Sequence, residues 1–234
     1  MNHLKSKILF GGLFIFSLST TAQTVLLSVD KDGEKIIQRG PNLKNHVQVY
    51  FHFGFVAGSD KPGARIIYGS STDLAFGIRK RHKISPLYSI GFEAEFERLS
   101  YKLKQTNEKF FPDTILNYSQ SLRNFSLGLG VFNRFNFDPH RGNFLGTYLD
   151  LGIMGGWDFG YYEYTRNKLP NGTKEAKSIS NLSYVNNLDA KVCARMGFSH
   201  GSIYTSYRLT KLFKTSYNYP DLPRLVVGVE LSVL

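Results

Sequence analysis

The sequence predicts an all-β protein, an eight-stranded antiparallel transmembrane β-barrel in up-and-down meander order. Three observations predict it. The chain opens with a segment of secretory form. After Leu18 no apolar run approaches the ~20 residues that a membrane-spanning helix needs. From His46 onward apolar residues recur with period two, in stretches about twice the ~5–6 residues usual for a globular strand. Glycines inside these stretches speak against a helical reading.

Composition narrows the field. The chain has 234 residues and a formal charge of +11, with 42% apolar and 15% aromatic residues. That apolar fraction is too high for a disordered chain. A mean hydropathy of −0.22 is too low for a bundle of membrane helices. The single cysteine, Cys193, excludes a disulfide framework and a cysteine-rich zinc site.

Residues 1–22 read as a signal peptide. Lys5 and Lys7 give a positive start, residues 8–18 an apolar stretch, and residues 17–22 a small-residue end at Ala22. The apolar stretch is short for a spanning helix, so cleavage is expected over an uncleaved anchor. No cysteine follows the site for a lipoprotein anchor. Residues 23–45 form a periplasmic N-terminal segment, in which Asp30-Lys31-Asp32-Gly33 between two apolar runs has the form of a hairpin turn. It either docks beneath the barrel or onto a periplasmic partner, or stays a disordered leader. Residues 46–234 form the barrel, and the last strand closes the chain with no appended peptidoglycan-binding domain.

Each strand follows from alternation. In residues 46–57, Val47, Val49, Phe51, Phe53 and Phe55 oppose Gln48, Tyr50, His52 and Gly54. In 65–80, Ile66, Tyr68, Leu74, Phe76 and Ile78 oppose Asp73, Gly77 and Arg79. In 87–98, Tyr88, Ile90, Phe92, Ala94 and Phe96 oppose Glu93, Glu95 and Glu97. The fourth runs over 124–137, with Leu127, Leu129 and Val131 opposing Gly128, Gly130 and Arg134. The fifth covers 145–159, with Leu149, Leu151, Ile153 and Trp157 opposing Asp150 and Asp158. The sixth covers 184–198, the seventh 202–213 and the eighth 224–234, where Leu225, Val227, Val229, Leu231 and Val233 share a face.

The connections alternate short and long, as periplasmic turns and outer loops do. Residues 83–86, 138–142 and 199–201 are short turns. Residues 58–63, 101–122, 165–183 and 214–223 are the outer loops, two of them long and polar.

A soluble barrel would bury the apolar set, whereas a membrane barrel turns it outward. The apolar set lacks charge at mid-strand, where a lipid-facing Lys or Arg costs ~2–4 kcal/mol. A water-facing surface has no reason to exclude charge so consistently. Aromatics gather toward strand ends at Phe135, Phe137, Trp157, Phe159, Tyr161, Tyr162, Phe198 and Phe213, as interfacial girdles do. The membrane barrel is therefore preferred over a soluble one.

The inward set carries both signs. Glu93, Glu95 and Glu97 stack on one face. Arg134, Lys191, Arg195 and Arg208 are the expected counter-charges, and Asp150, Asp189 and Glu230 complete an interior ionic network. A barrel of eight strands is just wide enough to be filled by side chains. The expected role is therefore a structural plug, with a gated ion path as the other reading. Arg79, Lys80, Arg81 and Lys83 at the first periplasmic turn form a basic patch for lipid phosphates or an anionic partner. Outer lysines and arginines, among them Lys102, Arg166 and Lys168, would lie near lipopolysaccharide phosphates.

In these features the chain resembles the small outer-membrane β-barrel superfamily common in Bacteroidetes, which includes OmpA-like and PorT-like barrels. Thr21-Ala22-Gln23 is similar to signal-peptide ends of that group. The last strand resembles a barrel-assembly signal in Gly228, Leu231 and Val233. It departs from it in Val226, where a polar residue is common, and in the terminal Leu234. The resemblance implies location and assembly route rather than a task.

Chemistry is sparse. His82, His140 and His200 fall at turns, and inward His52 has no obvious serine partner, so an acyl-transfer or lipid A-modifying site lacks its parts. No HExxH, phosphate-binding glycine loop or CxxC occurs, and no cofactor or metal is expected. Export argues against nucleic acid as a partner. The expectation is a non-enzymatic structural or interaction module of the outer membrane of a Gram-negative bacterium. Outer-membrane lipids, lipopolysaccharide and protein partners in the envelope, including a secretion complex, are its expected contacts. A narrow pore and a lipid A-modifying enzyme are the alternatives.

Overall fold

A computed structural model describes residues 40–233. The signal peptide and most of the 23–45 segment lie outside the described residues. The fold is all-β, a closed antiparallel barrel of eight strands in meander order. In chain order the strands are β1 (Asn45–Ala57), β2 (Thr72–Lys83), β3 (Tyr88–Leu103), β4 (Ser119–Asn136), β5 (Thr147–Lys168), β6 (Lys174–Ser180), β7 (Leu188–Phe198), β8 (Gly201–Arg208) and β9 (Leu225–Val233). Eight of them close the barrel through pairing of β1 with β9 and of β4 with β5. The ninth, β6, pairs only with the far end of β5 as an external hairpin. Among the described residues no helix is long and apolar enough to cross a membrane.

The polarity of the wall is inverted. Leu129 is 72% exposed, Phe92 64% and Ile153 60%, while Arg79, Arg134, Asp150 and Glu230 are at most 1% exposed. Strand alternation alone produces this. The residues of the apolar parity point outward, and those of the polar parity fill the lumen.

The structure departs from sequence expectation mainly at the end bearing the long connections, called here the outer end. Residues 65–71 leave the strand and form a 3-10 turn at Tyr68–Ser70 before β2 begins. Conversely β3, β4 and β5 run on into the expected loops, and β6 arises inside the expected 165–183 loop. β7 starts at Leu188 rather than Tyr184, and β8 ends at Arg208 rather than Phe213.

The outer loops are not simply polar. They fold over the barrel mouth around a buried cluster that includes Ile66, Phe111, Leu182, Val185, Leu212, Phe213 and Leu222, continuous with Tyr101, Tyr161 and Tyr204 below. Phe213 packs against Phe111 with ring centroids 4.4 Å apart and the rings tilted by 40°. Two aromatics expected in the outward girdles are therefore buried. Phe213 has left its strand. Tyr161 is turned inward by a β-bulge in the β4–β5 ladder at Phe125/Ser126, which reverses the facing of β5 beyond it.

At the inner end Pro41–Lys44 tuck under the wall. Arg81 donates to the carbonyls of Pro41 and Leu43. Lys83 Nζ donates to the Asn42 carbonyl at 2.6 Å, and Asn42 bonds Gly142 and Asn143 of the β4–β5 turn.

Candidate functional site

The lumen is crossed by charged pairs at successive heights. Near the inner end Arg134 clasps Asp150 through Nε (2.6 Å) and Nη2 (2.7 Å), with its guanidinium 3.6 Å from the Tyr148 ring centroid. Gly197, the register partner of Tyr148 on the adjacent strand β7, makes room for that ring, with which any side chain there would collide. Above it four residues alternate in charge. Arg79 donates to Glu93 at 3.0 Å and to both oxygens of Glu230 at 2.9 and 3.0 Å. Arg195 meets Glu93 at 2.7 Å and Glu230 at 3.3 Å. Planar guanidinium forks suit such double contacts.

The next height belongs to Lys191. Its Nζ lies 2.7 Å from Glu95 and 2.9 Å from Glu97. Tyr50 donates to the other oxygen of Glu95 at 2.9 Å, and Ser126 to that of Glu97 at 3.1 Å. Further out, His52 Nε2 stands 3.1 Å from Asp73, Tyr204 donates to the same carboxylate at 2.7 Å, and the Tyr204 and His52 rings stack. His52, Asp73 and Glu97 bring donor atoms within 4.8 Å of one another and are the residues able to hold a metal ion among those described. A cation placed there would compete with Lys191 for Glu97.

The residues expected in the network are thus distributed as follows. Glu93, Glu95, Glu97, Arg134, Asp150, Lys191, Arg195 and Glu230 are joined in ion pairs within the lumen, of which those of Lys191 and Arg195 with the β3 carboxylates cross it. Asp189 is only half-buried and makes no ion pair among the described residues. Arg208 turns to the outer cap, 3.4 Å from Asp221 and 3.2 Å from the Leu222 carbonyl.

The basic patch expected at the first turn is corrected. Arg79 and Arg81 are 1% and 2% exposed and point into the barrel. Arg79 is the central cation of the ionic lattice, and Arg81 holds residues 41–43. The reason is parity, because both share the inward face of β2 with Asp73. Lys80 alone is exposed on the outward face, and Lys83 is engaged with Asn42. The His52–Asp73–Tyr204 group was not foreseen either. Its only sequence signal is the inward parity of each member, and their meeting depends on barrel closure.

The outer mouth is sealed differently. Glu163 accepts from Gln120 at 2.6 Å and from Tyr184 at 3.3 Å. Burial and the Glu163 carboxylate push the Tyr184 phenol well above its ordinary pKa range. Outside, Lys61, Glu108, Phe110, Lys211 and Tyr219 line a groove between loops.

Closure, meander order and inverted polarity define the class, a small eight-stranded β-barrel with a charge-filled lumen. No protein-family model matches the chain, and no curated protein matches it. Among solved structures the chain is similar to Ail, the attachment invasion locus protein of Yersinia pestis, crystallised in complex with the heparin analogue sucrose octasulfate. The identity is 10%, with 81% of this chain and 96% of that chain covered and a TM-score of 0.34. A likeness of that size bears on no residue and no role of this chain.

Proposed function

We propose that the chain is an integral outer-membrane protein of a Gram-negative bacterium that works as a non-enzymatic structural or interaction module. The observation that carries this reading is the inverted wall. A continuous belt of exposed aliphatic and aromatic side chains rings a closed barrel whose ion-paired charges, among them Arg79, Glu93, Arg134, Asp150, Lys191, Arg195 and Glu230, are turned inward. Water would not tolerate so large an apolar surface on a monomer, and closed barrels satisfy every strand edge within a bilayer. The lumen supports a sealed state, because ion pairs cross it at several heights and the aromatic cap covers its outer mouth. Interaction then falls to the outer loops and the β5–β6 hairpin. The likeness to PorT-like barrels rests on sequence resemblance, and a secretion complex is one partner class for the interaction role.

The test has two readings. Protein folded in detergent should migrate differently on a gel before and after boiling, and unchanged mobility rejects the membrane barrel. Inserted into planar bilayers it should pass no steady single-channel current; a stable conductance rejects the sealed module in favour of the pore.

A further inference from the structure

Above the aromatic belt of β3, β4 and β5 the outward face changes character. Phe96, Phe125, Phe159 and Tyr162 form that belt, with neighbouring ring centroids 5.9–6.1 Å apart. The register then sets Arg98 level with Phe125, Arg123 level with Tyr162, Lys102 beside Ser121, and Arg166 opposite Ser119. Four cations on three adjacent strands thus lie within one or two ladder steps of the belt, each step ~7 Å for a residue pair.

These charges are not neutralised. Among the described residues none of the four takes part in an ion pair. Arg123 feels the repulsion of Arg98 and Arg166, and Lys102 that of Arg166 and Arg123. Arg123 Nε is buried and has no hydrogen-bond partner. No Asp or Glu occupies an outward position of β3, β4, β5 or β6 at this height, since Glu163 and Glu175 face the other way. Tyr164 gathers the group, with Arg123 and Arg166 5.1 and 5.0 Å from its ring centroid and Arg166 Nε donating to its hydroxyl at 3.1 Å. In the lumen below, by contrast, Arg79, Arg134, Lys191 and Arg195 each meet a carboxylate. Four like charges left unpaired here, at the upper edge of the apolar belt, are complementary to an anion fixed at the same height.

We infer that Arg98, Lys102, Arg123 and Arg166 form a binding site for the phosphorylated sugar headgroup of an outer-leaflet glycolipid of the lipid A type. The acyl chains would lie against Phe96, Phe125 and Phe159, and the phosphates would meet the guanidinium forks above them. The inference rests on the membrane placement proposed above.

Native mass spectrometry of the full chain in mild detergent tests it, with bis-phosphorylated lipid A and its dephosphorylated form offered as separate probes. Wild type should retain the phosphorylated lipid at least about tenfold more strongly, less so at high salt. The triple variant Arg98→Gln/Arg123→Gln/Arg166→Gln should lose that preference, while the charge-matched Lys61→Gln/Lys104→Gln/Lys211→Gln keeps it. Should the triple variant lose its heat-shifted band, the exposed single change Arg166→Gln should still lower the preference. Equal retention of the two lipids by wild type, or an undiminished preference in the folded patch variant, overturns the site. A wild type with no heat-shifted band overturns the membrane placement instead.

Discussion

Arg79 satisfies two carboxylates from different strands, Glu93 on β3 and Glu230 on β9, while its guanidinium lies 4.2 Å from the Tyr50 ring centroid. Because β9 closes the barrel against β1, the contact with Glu230 ties the closing strand to β2. Removing one partner of a buried pair leaves an uncompensated charge, at a cost of about 3–5 kcal/mol. Arg79→Ala leaves two buried carboxylates, Glu93 and Glu230, to share the single guanidinium of Arg195, so it should lower stability by up to that order, read as a fall in the urea midpoint of Trp157 fluorescence in detergent. Glu95→Ala leaves Lys191 with Glu97 still at 2.9 Å, so its loss should be smaller. The opposite ranking would mean that Lys191, not Arg79, is the cation on which the interior depends. The same residues show the limit of sequence reasoning. Inward parity placed Glu93, Lys191 and Arg195 in one lumen. It put Arg79 on that face too, yet the run of basic side chains up to Lys83 read as a turn surface, and local pattern alone could not rank the two signals.

At the scale of elements, the strands were legible wherever a bilayer-height face is uniform. Alternation marks the lower halves of β1, β3, β4 and β9 without ambiguity. It fails above that height, where the wall is no longer apolar outside and polar inside. There β3 and β4 continue with Ser, Arg and Lys outward, and β5 passes through its bulge. Hairpin β5–β6 is held by one ladder, and every residue of β6 is exposed. Replacing residues 169–180 with a short Gly/Ser turn should leave heat-shifted migration intact, because β5 keeps its ladders with β4 and β7. Loss of the folded band in that variant would show that the hairpin is needed for closure. The cap behaves otherwise. Phe111 and Phe213 contact each other and lie at 1% and 3% exposure. Replacing both with Ala removes two aromatic anchors at about 3–5 kcal/mol each, and should make the outer loops sensitive to added protease while the barrel below survives.

For the whole molecule the decisive contrast is between the two faces of one wall. Leu129→Arg sits at 72% exposure. In lipid it should cost about 2–4 kcal/mol, whereas on a water-facing surface it would be nearly neutral. Refolding yield into lipid vesicles, compared with wild type, reads the difference, and an unchanged yield would favour a soluble barrel.

The amino-acid sequence by itself determined the period-two pattern, the division of residues into two faces, and the alternation of short and long connections. Those are local properties, fixed by neighbours two residues apart along one strand. Only the tertiary structure decided which inward charges meet, that Arg208 leaves the lattice for Asp221, that the outer loops bury Phe111 and Phe213, and that Arg98, Lys102, Arg123 and Arg166 share one unpaired face. Those depend on register between strands and on closure through β1–β9, which bring together ion-paired residues up to 151 positions apart and leave no mark in local pattern.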